Sequence, residues 1–219
     1  MRSERRMLAG VLVALFLLPA QARAQSGQEA FPEVTGWEFT GFPALNYDSD
    51  DGFGYGAVLV AYDYGPGGLS PYRMSFQPTA FFTSKGRMDL TLFFDAPHLL
   101  AGGWRVDAYL GIEKHIATPY YGVGNDVLYD SALEEEGNPY YYRYGRTRHV
   151  FQANLQHELG ELPLRVLVGG KWSDFSLDTT PEDEGTTLLQ LQHGITAPPP
   201  QGQVNSVRAG LIWDTRDRE

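Results

Sequence analysis

The chain has 219 residues, no cysteine, and 17 basic against 27 acidic side chains, which gives a formal net charge of -10. Without cysteine, the fold cannot depend on disulfides or on thiolate metal sites. An acidic chain that has no basic stretches also argues against binding to nucleic acid.

The N-terminal segment predicts export from the cytoplasm. Arg2, Arg5 and Arg6 precede an apolar run from Met7 to Leu18, and Ala22-Arg23-Ala24 forms an A-x-A cleavage site. This order is typical of a signal peptide. The apolar run is too short for a membrane-spanning helix, and no other run approaches the ~20 residues that such a helix needs.

Two neighbouring segments in the middle of the chain alternate between apolar and polar residues. From Tyr72 to Ala80 the even-numbered residues are apolar or proline, and the pattern resumes from Arg87 to Asp95. A period of two predicts a strand with one apolar and one polar face. The polar face carries charges such as Arg73 and Asp89, which a packed core would reject. The alternation therefore favours strands that face lipid on one side and a wet interior on the other.

Alternation and turn residues predict six further strands. In the last four, the period of two assigns an apolar face, which carries Trp104, Phe151, Val166 and Val207, and a polar face, which carries Arg105, Asp107, Asn154, Arg165 and Arg208. In chain order, the eight strands cover about Glu38 to Tyr47, Phe53 to Tyr64, Tyr72 to Ala80, Arg87 to Asp95, Trp104 to Lys114, Tyr141 to Leu159, Leu164 to Phe175 and Val204 to Thr215. Several match the ~9–11 residues with which a tilted strand crosses a bilayer. We expect the first strand at an edge or a seam, because Gly41 and Pro43 interrupt it. No helical periodicity follows the signal peptide.

The connections support the same reading. The long links, about residues 116–140 and 176–203, follow the fifth and seventh strands and therefore lie on one side of an antiparallel sheet. Outer-membrane barrels place their long loops on one side in this way. A secreted β-sandwich also alternates. The strand lengths, the charged inner faces and the aromatic residues at strand ends favour the membrane barrel.

None of the possible catalytic or ligand-binding motifs has the residues and spacing that its site requires. The run Gly52-Phe53-Gly54-Tyr55-Gly56 lacks the glycine spacing and the following helix of a nucleotide-binding loop. Asp48, Asp50 and Asp51 resemble the start of a calcium loop, but no glutamate follows at the required position. The histidines, which are His98, His115, His149, His157 and His193, show no zinc-protease spacing and no convincing Ser/His/Asp order. We assign no catalytic, cofactor-binding or metal-binding residue and expect no enzyme.

Several ordered motifs resemble the bacterial surface-antigen barrels of the BamA/TamA superfamily. They are Phe42-Pro43-Ala44-Leu45-Asn46-Tyr47 with Asp51-Gly52-Phe53-Gly54-Tyr55-Gly56-Ala57, Thr83-Ser84-Lys85-Gly86 with Phe94-Asp95-Ala96-Pro97, Tyr120-Tyr121-Gly122-Val123-Gly124-Asn125, and Gly210-Leu211-Ile212-Trp213-Asp214-Thr215-Arg216-Asp217. The resemblance implies an all-β, antiparallel transmembrane barrel of sixteen strands with a weak seam between its first and last strands. Members insert or fold outer-membrane proteins, or export polypeptides, by strand addition at that seam.

The resemblance implies a domain organisation and a set of partners. Residues 1–24 are the signal peptide, 25–35 a short periplasmic linker, and 36–219 the N-terminal part of an outer-membrane β-barrel domain. The linker leaves no room for a periplasmic POTRA domain, and about eight of the sixteen strands are present, so we expect a POTRA-less and truncated member. Its partners are the lipid bilayer, lipopolysaccharide and client outer-membrane polypeptides, with no cofactor. The alternatives are a closed eight-stranded structural barrel or passive pore, and an outer-membrane hydrolase.

Overall fold

Eight long antiparallel strands make up almost the whole of the described chain. They are β1 (Trp37–Asp48), β2 (Gly52–Asp63), β3 (Met74–Thr83), β4 (Met88–Leu100), β5 (Trp104–Pro119), β6 (Arg143–Glu158), β7 (Leu164–Asp178) and β8 (Gly202–Trp213). Two single-turn helices, α1 (Ala132–Glu135) and α2 (Leu188–Leu191), lie in the long connections. All eight predicted strands are present, which confirms the all-β fold class.

The computed structural model describes residues 33–124, 128–135, 138–160, 162–179, 186–192, 199 and 201–215. The predicted signal peptide and most of the predicted linker lie outside the described residues. Neither of the two described helices has the length or the apolarity of a membrane span.

The strands form one sheet in the order of the sequence, from β1 to β8. Each inner strand pairs with its two sequence neighbours, whereas β1 and β8 each have one described partner. The sheet is therefore open along both outer strands. This confirms that β1 is an edge strand, and it differs from the alternative in which eight strands close on themselves.

Register places most of the apolar side chains of β3 to β7 on one face, the apolar face. One row across it runs from Pro78 to Leu92, Leu110, Phe151 and Trp172. A row of the opposite polar face runs from Ser75 to Asp95, Asp107, Asn154, Gly169 and Arg208. The face assignments that alternation predicted for β3 to β8 are correct. In β2 the pairing puts Val58, Val60 and Tyr62 on the polar side, which alternation did not decide.

Burial is inverted relative to a water-soluble sheet. On the apolar face, Leu110 is 54% exposed and Val168 is 55% exposed. On the polar face, Asp95 is 2% exposed and Asn154 is 3% exposed. The sheet therefore leaves its hydrocarbon side chains uncovered and packs its polar side chains against one another.

Aromatic side chains border the apolar face at both ends of its strands. We call the end that carries the connections after odd-numbered strands the loop end. Trp37, Trp104 and Trp213 lie at the opposite end, where Trp104 stacks on His157 with ring centroids 4.1 Å apart. Tyr55 lies near the loop end with its ring centroid 6.1 Å from that of Phe82.

Strands β4 and β5 each run five residues further than alternation predicted, because each contains an irregularity that hides the period. Strand β4 continues to Leu100 through Pro97, and its register against β5 shifts between Ala96 and Leu100. Strand β5 continues to Pro119 across a register shift between His115 and Thr118.

The two long connections are packed against each other at the loop end. The backbone N–H of Leu188 donates to the carbonyl oxygen of Tyr141 at 2.7 Å, and Tyr120 Oη donates to Gln192 Oε1 at 2.8 Å. Helix α2 begins with a capping box, in which Thr187 Oγ1 accepts from Gln190 N and Gln190 Oε1 accepts from Thr187 N. Both helices are a single turn of four residues, which is too short to produce a helical period in the sequence.

An ion pair shows that the sheet curls at the loop end. Arg143 at the start of β6 lies 2.5 Å from the carboxylate of Asp50, in the turn between β1 and β2. In a flat sheet, β2 and β6 would lie about 19 Å apart, at the usual strand spacing. The contact therefore requires the β1–β2 turn to lean across the intervening strands.

We predict that the Thr187 cap holds the packed connections in place. Thr187 is fully buried, and its Oγ1 also donates to the carbonyl oxygen of Thr179 at 3.0 Å. The substitution Thr187→Ala should destabilise this region locally by ~1 kcal/mol, as measured by hydrogen exchange of the α2 amides. The exposed neighbour Thr186 provides the control, and equal exchange in Thr187→Ala and Thr186→Ala would contradict the role of the cap.

Candidate functional site: paired charges and two open edges

The polar face holds the buried carboxylate of Asp95, which accepts three hydrogen bonds. Arg105 donates to both oxygens of Asp95, with Nε–Oδ1 and Nη2–Oδ2 distances of 3.0 Å. Tyr72 Oη donates to Asp95 Oδ2 at 2.8 Å. Such bidentate, charge-assisted pairs compensate the cost of burying a carboxylate. Asp95 is therefore a structural charge on β4, held by β5 and by the connection that precedes β3.

The phenol that completes this group is kept protonated. Burial raises the pKa of Tyr72 to about 12, and its hydrogen bond to Asp95 acts in the same direction. Tyr72 therefore remains a hydrogen-bond donor at any physiological pH.

A second chain of polar contacts spans four strands of the same face, from β5 to β8. Asn154 on β6 and Gln156 both donate to Asp107 on β5, the latter at 3.2 Å. Arg208 on β8 reaches Asn154 Oδ1 with Nε at 2.7 Å. It does so across β7 at Gly169, which is in register with both residues and has no side chain. The glycine thus opens the path for a hydrogen bond between strands that are not neighbours.

A third group of charges lies nearer the loop end. Glu113 accepts from Arg148 and from Tyr109 Oη, the latter at 2.9 Å. Further out, Arg87 bridges Asp51 and Asp89 at 2.9 and 3.0 Å. The hydrogen bond to Asp51 raises the pKa of Arg87 further. The described polar face is a lattice of opposite charges and resembles a stable wet interior.

The residues that the sequence singled out for calcium binding serve the turn instead. Asp48 Oδ1 accepts from the backbone N–H of Asp50 at 2.8 Å, which closes an Asx turn. Asp50 pairs with Arg143, and Asp51 pairs with Arg87. Among the described residues, no group of three or more histidines and carboxylates could hold a metal ion.

The described histidines are dispersed over the sheet. His149 and His157 lie on the apolar face of β6, as their positions predicted, and His98 contacts the carbonyl oxygen of Ser70 at 2.9 Å. His115 lies 3.4 Å from Asp89 in the charge lattice. No two of these four side chains share a described contact. His193 lies outside the described residues.

The two outer strands, β1 and β8, each leave one edge of their backbone without a described partner strand. Every residue of β1 except Ala44, and every residue of β8 except Ile212, is exposed. Pro43 in β1 has no N–H to offer to a neighbouring strand. An exposed strand edge is a template for the addition of another strand. The arrangement can therefore bind extended polypeptide through main-chain hydrogen bonds.

The motifs that carry the resemblance fall on recognisable parts of this sheet. The first lies in the β1–β2 hairpin, and the second spans the β3–β4 turn and part of β4. The third begins the connection after β5, with Asn125 outside the described residues. The last motif covers the end of β8, with Arg216 and Asp217 outside the described residues.

Comparison of the chain with protein-family models, with curated proteins and with solved structures finds no match.

Sequence reasoning missed the partners of the charges on the polar face. Alternation placed Arg105, Asp107 and Asn154 on that face, but the pairs form between strands, and the register between strands was not predicted. The dipeptide Gly169-Gly170 was a usable signal, because a glycine inside a strand often marks a close approach.

We predict that Gly169→Ala disconnects Arg208 from Asn154. An added Cβ would overlap Asn154 Oδ1 and approach the carbonyl oxygen of Ala153 to 2.9 Å. Overpacking of this kind costs ~1–3 kcal/mol of unfolding free energy. The adjacent Gly170 has only one atom nearby, at 3.9 Å, so Gly170→Ala should be neutral. Denaturant titration of both variants tests this, and equal midpoints would show that β7 does not need the gap.

Proposed function

We propose that the chain is an outer-membrane β-barrel protein of the BamA-like surface-antigen class, which assembles or inserts outer-membrane proteins or translocates polypeptides. The single observation that carries the membrane part is the inverted burial of the sheet. Exposed leucine, valine and phenylalanine on one face need a solvent of hydrocarbon, whereas the paired charges on the other face need a polar interior. A transmembrane β-barrel provides both environments at once.

The aromatic borders support the same placement. Tyrosine and tryptophan concentrate at the two interfaces of a bilayer, where their rings meet the headgroups. Along β5, the eight steps from Trp104 to Ile112 cover about 26 Å at the rise of a strand. At a tilt of about 40°, that length corresponds to about 20 Å across the membrane, close to the apolar band of outer-membrane barrels.

The open edge of β1 supports the assembly part of the proposal. In the surface-antigen class the seam involves the first strand of the barrel, which corresponds to β1. An exposed strand edge can accept a further strand through main-chain hydrogen bonds. In this sheet β1 has one described neighbour, β2. Pro43 also interrupts β1 and weakens any ladder that forms there. Both features suit a protein that accepts a client strand at this edge and releases it again.

We predict that Leu110→Arg disrupts folding in a bilayer. Leu110 is 54% exposed at the middle of the apolar face, so arginine there would be harmless in water. At the midplane of a membrane, arginine costs ~2–4 kcal/mol. The control is Leu162→Arg, since Leu162 is 59% exposed in the β6–β7 turn. Folding into phosphatidylcholine vesicles, titrated with urea, should separate the two variants; equal folding free energies would contradict the membrane placement.

We predict that a client strand contacts the sheet at its edge. Because the chain has no cysteine, single cysteines can be placed at Phe39 on β1 and, as a control, at Phe151 on β6. Both side chains are exposed on the apolar face, at 73% and 48%. A cysteine-bearing unfolded barrel protein should cross-link to Phe39→Cys during its insertion into vesicles. Equal yields at Phe151→Cys, or an insertion rate that the chain leaves unchanged, would argue against assembly activity.

A further inference from the structure

A basic pocket lies at the loop end of the sheet, between the β3–β4 turn and strands β5, β6 and β7. Its volume is about 310 Å³, and its lining includes Lys85, Lys114, His115 and Arg146. The single carboxylate among its described lining residues is Asp178. We call this cavity the basic pocket.

The charge of the basic pocket stands out against the rest of the chain. The sequence has a formal net charge of -10 and only three lysines, Lys85, Lys114 and Lys171. Two of the three line this one cavity. Such a concentration of positive charge on an acidic protein marks a binding place for an anion.

Register divides the lining of the basic pocket between the two faces of the sheet. Lys114 pairs with Thr147 on the apolar face, whereas His115 pairs with Arg146 on the polar face. Two residues before Lys114 on the apolar face lies Ile112, which lines an apolar groove of about 620 Å³. Two residues of strand rise about 7 Å. Lys114 therefore lies about 7 Å along β5 beyond this groove, toward the loop end.

The cations of the basic pocket keep donors for a ligand. Lys85 Nζ donates to the carbonyl oxygen of Ser49 at 2.8 Å, which uses one of its three N–H groups. Lys114 is exposed, and the guanidinium of Arg146 lies 5.9 Å from the ring centroid of Phe175. In the described part of the chain, none of these three cations forms an ion pair. This differs from Arg73, Arg87, Arg105 and Arg148, each of which holds a carboxylate.

We propose that the basic pocket binds the phosphoryl group of a phosphorylated membrane lipid in the leaflet on the loop side. Two ammonium groups and the hydroxyl of Thr147 supply charge-assisted and neutral donors for phosphate oxygens. The lipid chains then lie along the adjoining apolar face. The inference rests on the proposed function, since the pocket reaches a lipid headgroup only when the apolar face lies in a bilayer.

The test uses the whole chain folded into phosphatidylcholine vesicles, with or without a minor fraction of lipopolysaccharide as the phosphorylated lipid. After gentle extraction, the lipopolysaccharide retained by each protein is quantified. The double variant Lys85→Gln/Lys114→Gln should bind about 30-fold more weakly, roughly fivefold for each lysine. Lys171→Gln is the matched control, because Lys171 pairs with Gln152 and Ser206 on the polar face and is absent from the pocket.

Each outcome decides the proposal. The proposal is supported if the double variant retains less lipopolysaccharide while Lys171→Gln retains as much as wild type. Insertion of all three proteins with equal lipopolysaccharide retention overturns the pocket and leaves the proposed function intact. Competition by inorganic phosphate at concentrations equal to the lipid would reassign the site to free phosphate and overturn the lipid inference. Failure of wild type to insert would remove both the proposed function and the inference.

Discussion

The pairing of charges on the polar face is the interaction on which the rest of this structure depends. Asp95 is 2% exposed, and a carboxylate in such a place is costly unless a cation and further donors meet it. Arg105 meets it from the next strand, and Tyr72 from the connection before β3. Pairs such as Arg105–Asp95 and Arg148–Glu113 join neighbouring strands, so these polar contacts also favour the observed register. The apolar face is then not needed for these contacts between strands, and its hydrocarbon side chains point outward.

This division of roles explains why a sheet of this size carries so few buried hydrophobic residues. Three of the seven described hydrophobic residues of the core are tyrosines near the loop end, Tyr140, Tyr142 and Tyr144. They belong to the packed connections and their base, where α2 and its Thr187 cap also lie. The polar lattice holds the middle of the sheet, and the packed connections hold its loop end. The basic pocket forms where these two regions and the apolar face meet.

The sequence predicted all eight strands and their faces from β3 onward, because a period of two is a local property of the chain. It could not predict where β4 and β5 end, since the register shifts near Pro97 and His115 break that period. The turn of α2 was readable from Thr187 and Gln190, which form a capping box three residues apart. The sequence could not predict the hydrogen-bond partner of Arg208 or the basic pocket, because both join residues that are distant in sequence. The Arg208 contact depends on the missing side chain at Gly169. The basic pocket depends on the position of the β3–β4 turn.

The most direct test of the account is a scan of single cysteines along β5, from Arg105 to Glu113, each labelled with a fluorophore and folded into lipid vesicles. We predict that a quencher dissolved in the lipid quenches labels at Val106, Ala108, Leu110 and Ile112. Labels at Arg105, Asp107, Tyr109 and Glu113 should respond to a water-soluble quencher instead. Quenching without a period of two, or labels at Leu110 and Ile112 that only a water-soluble quencher reaches, would contradict the placement of the apolar face in a membrane.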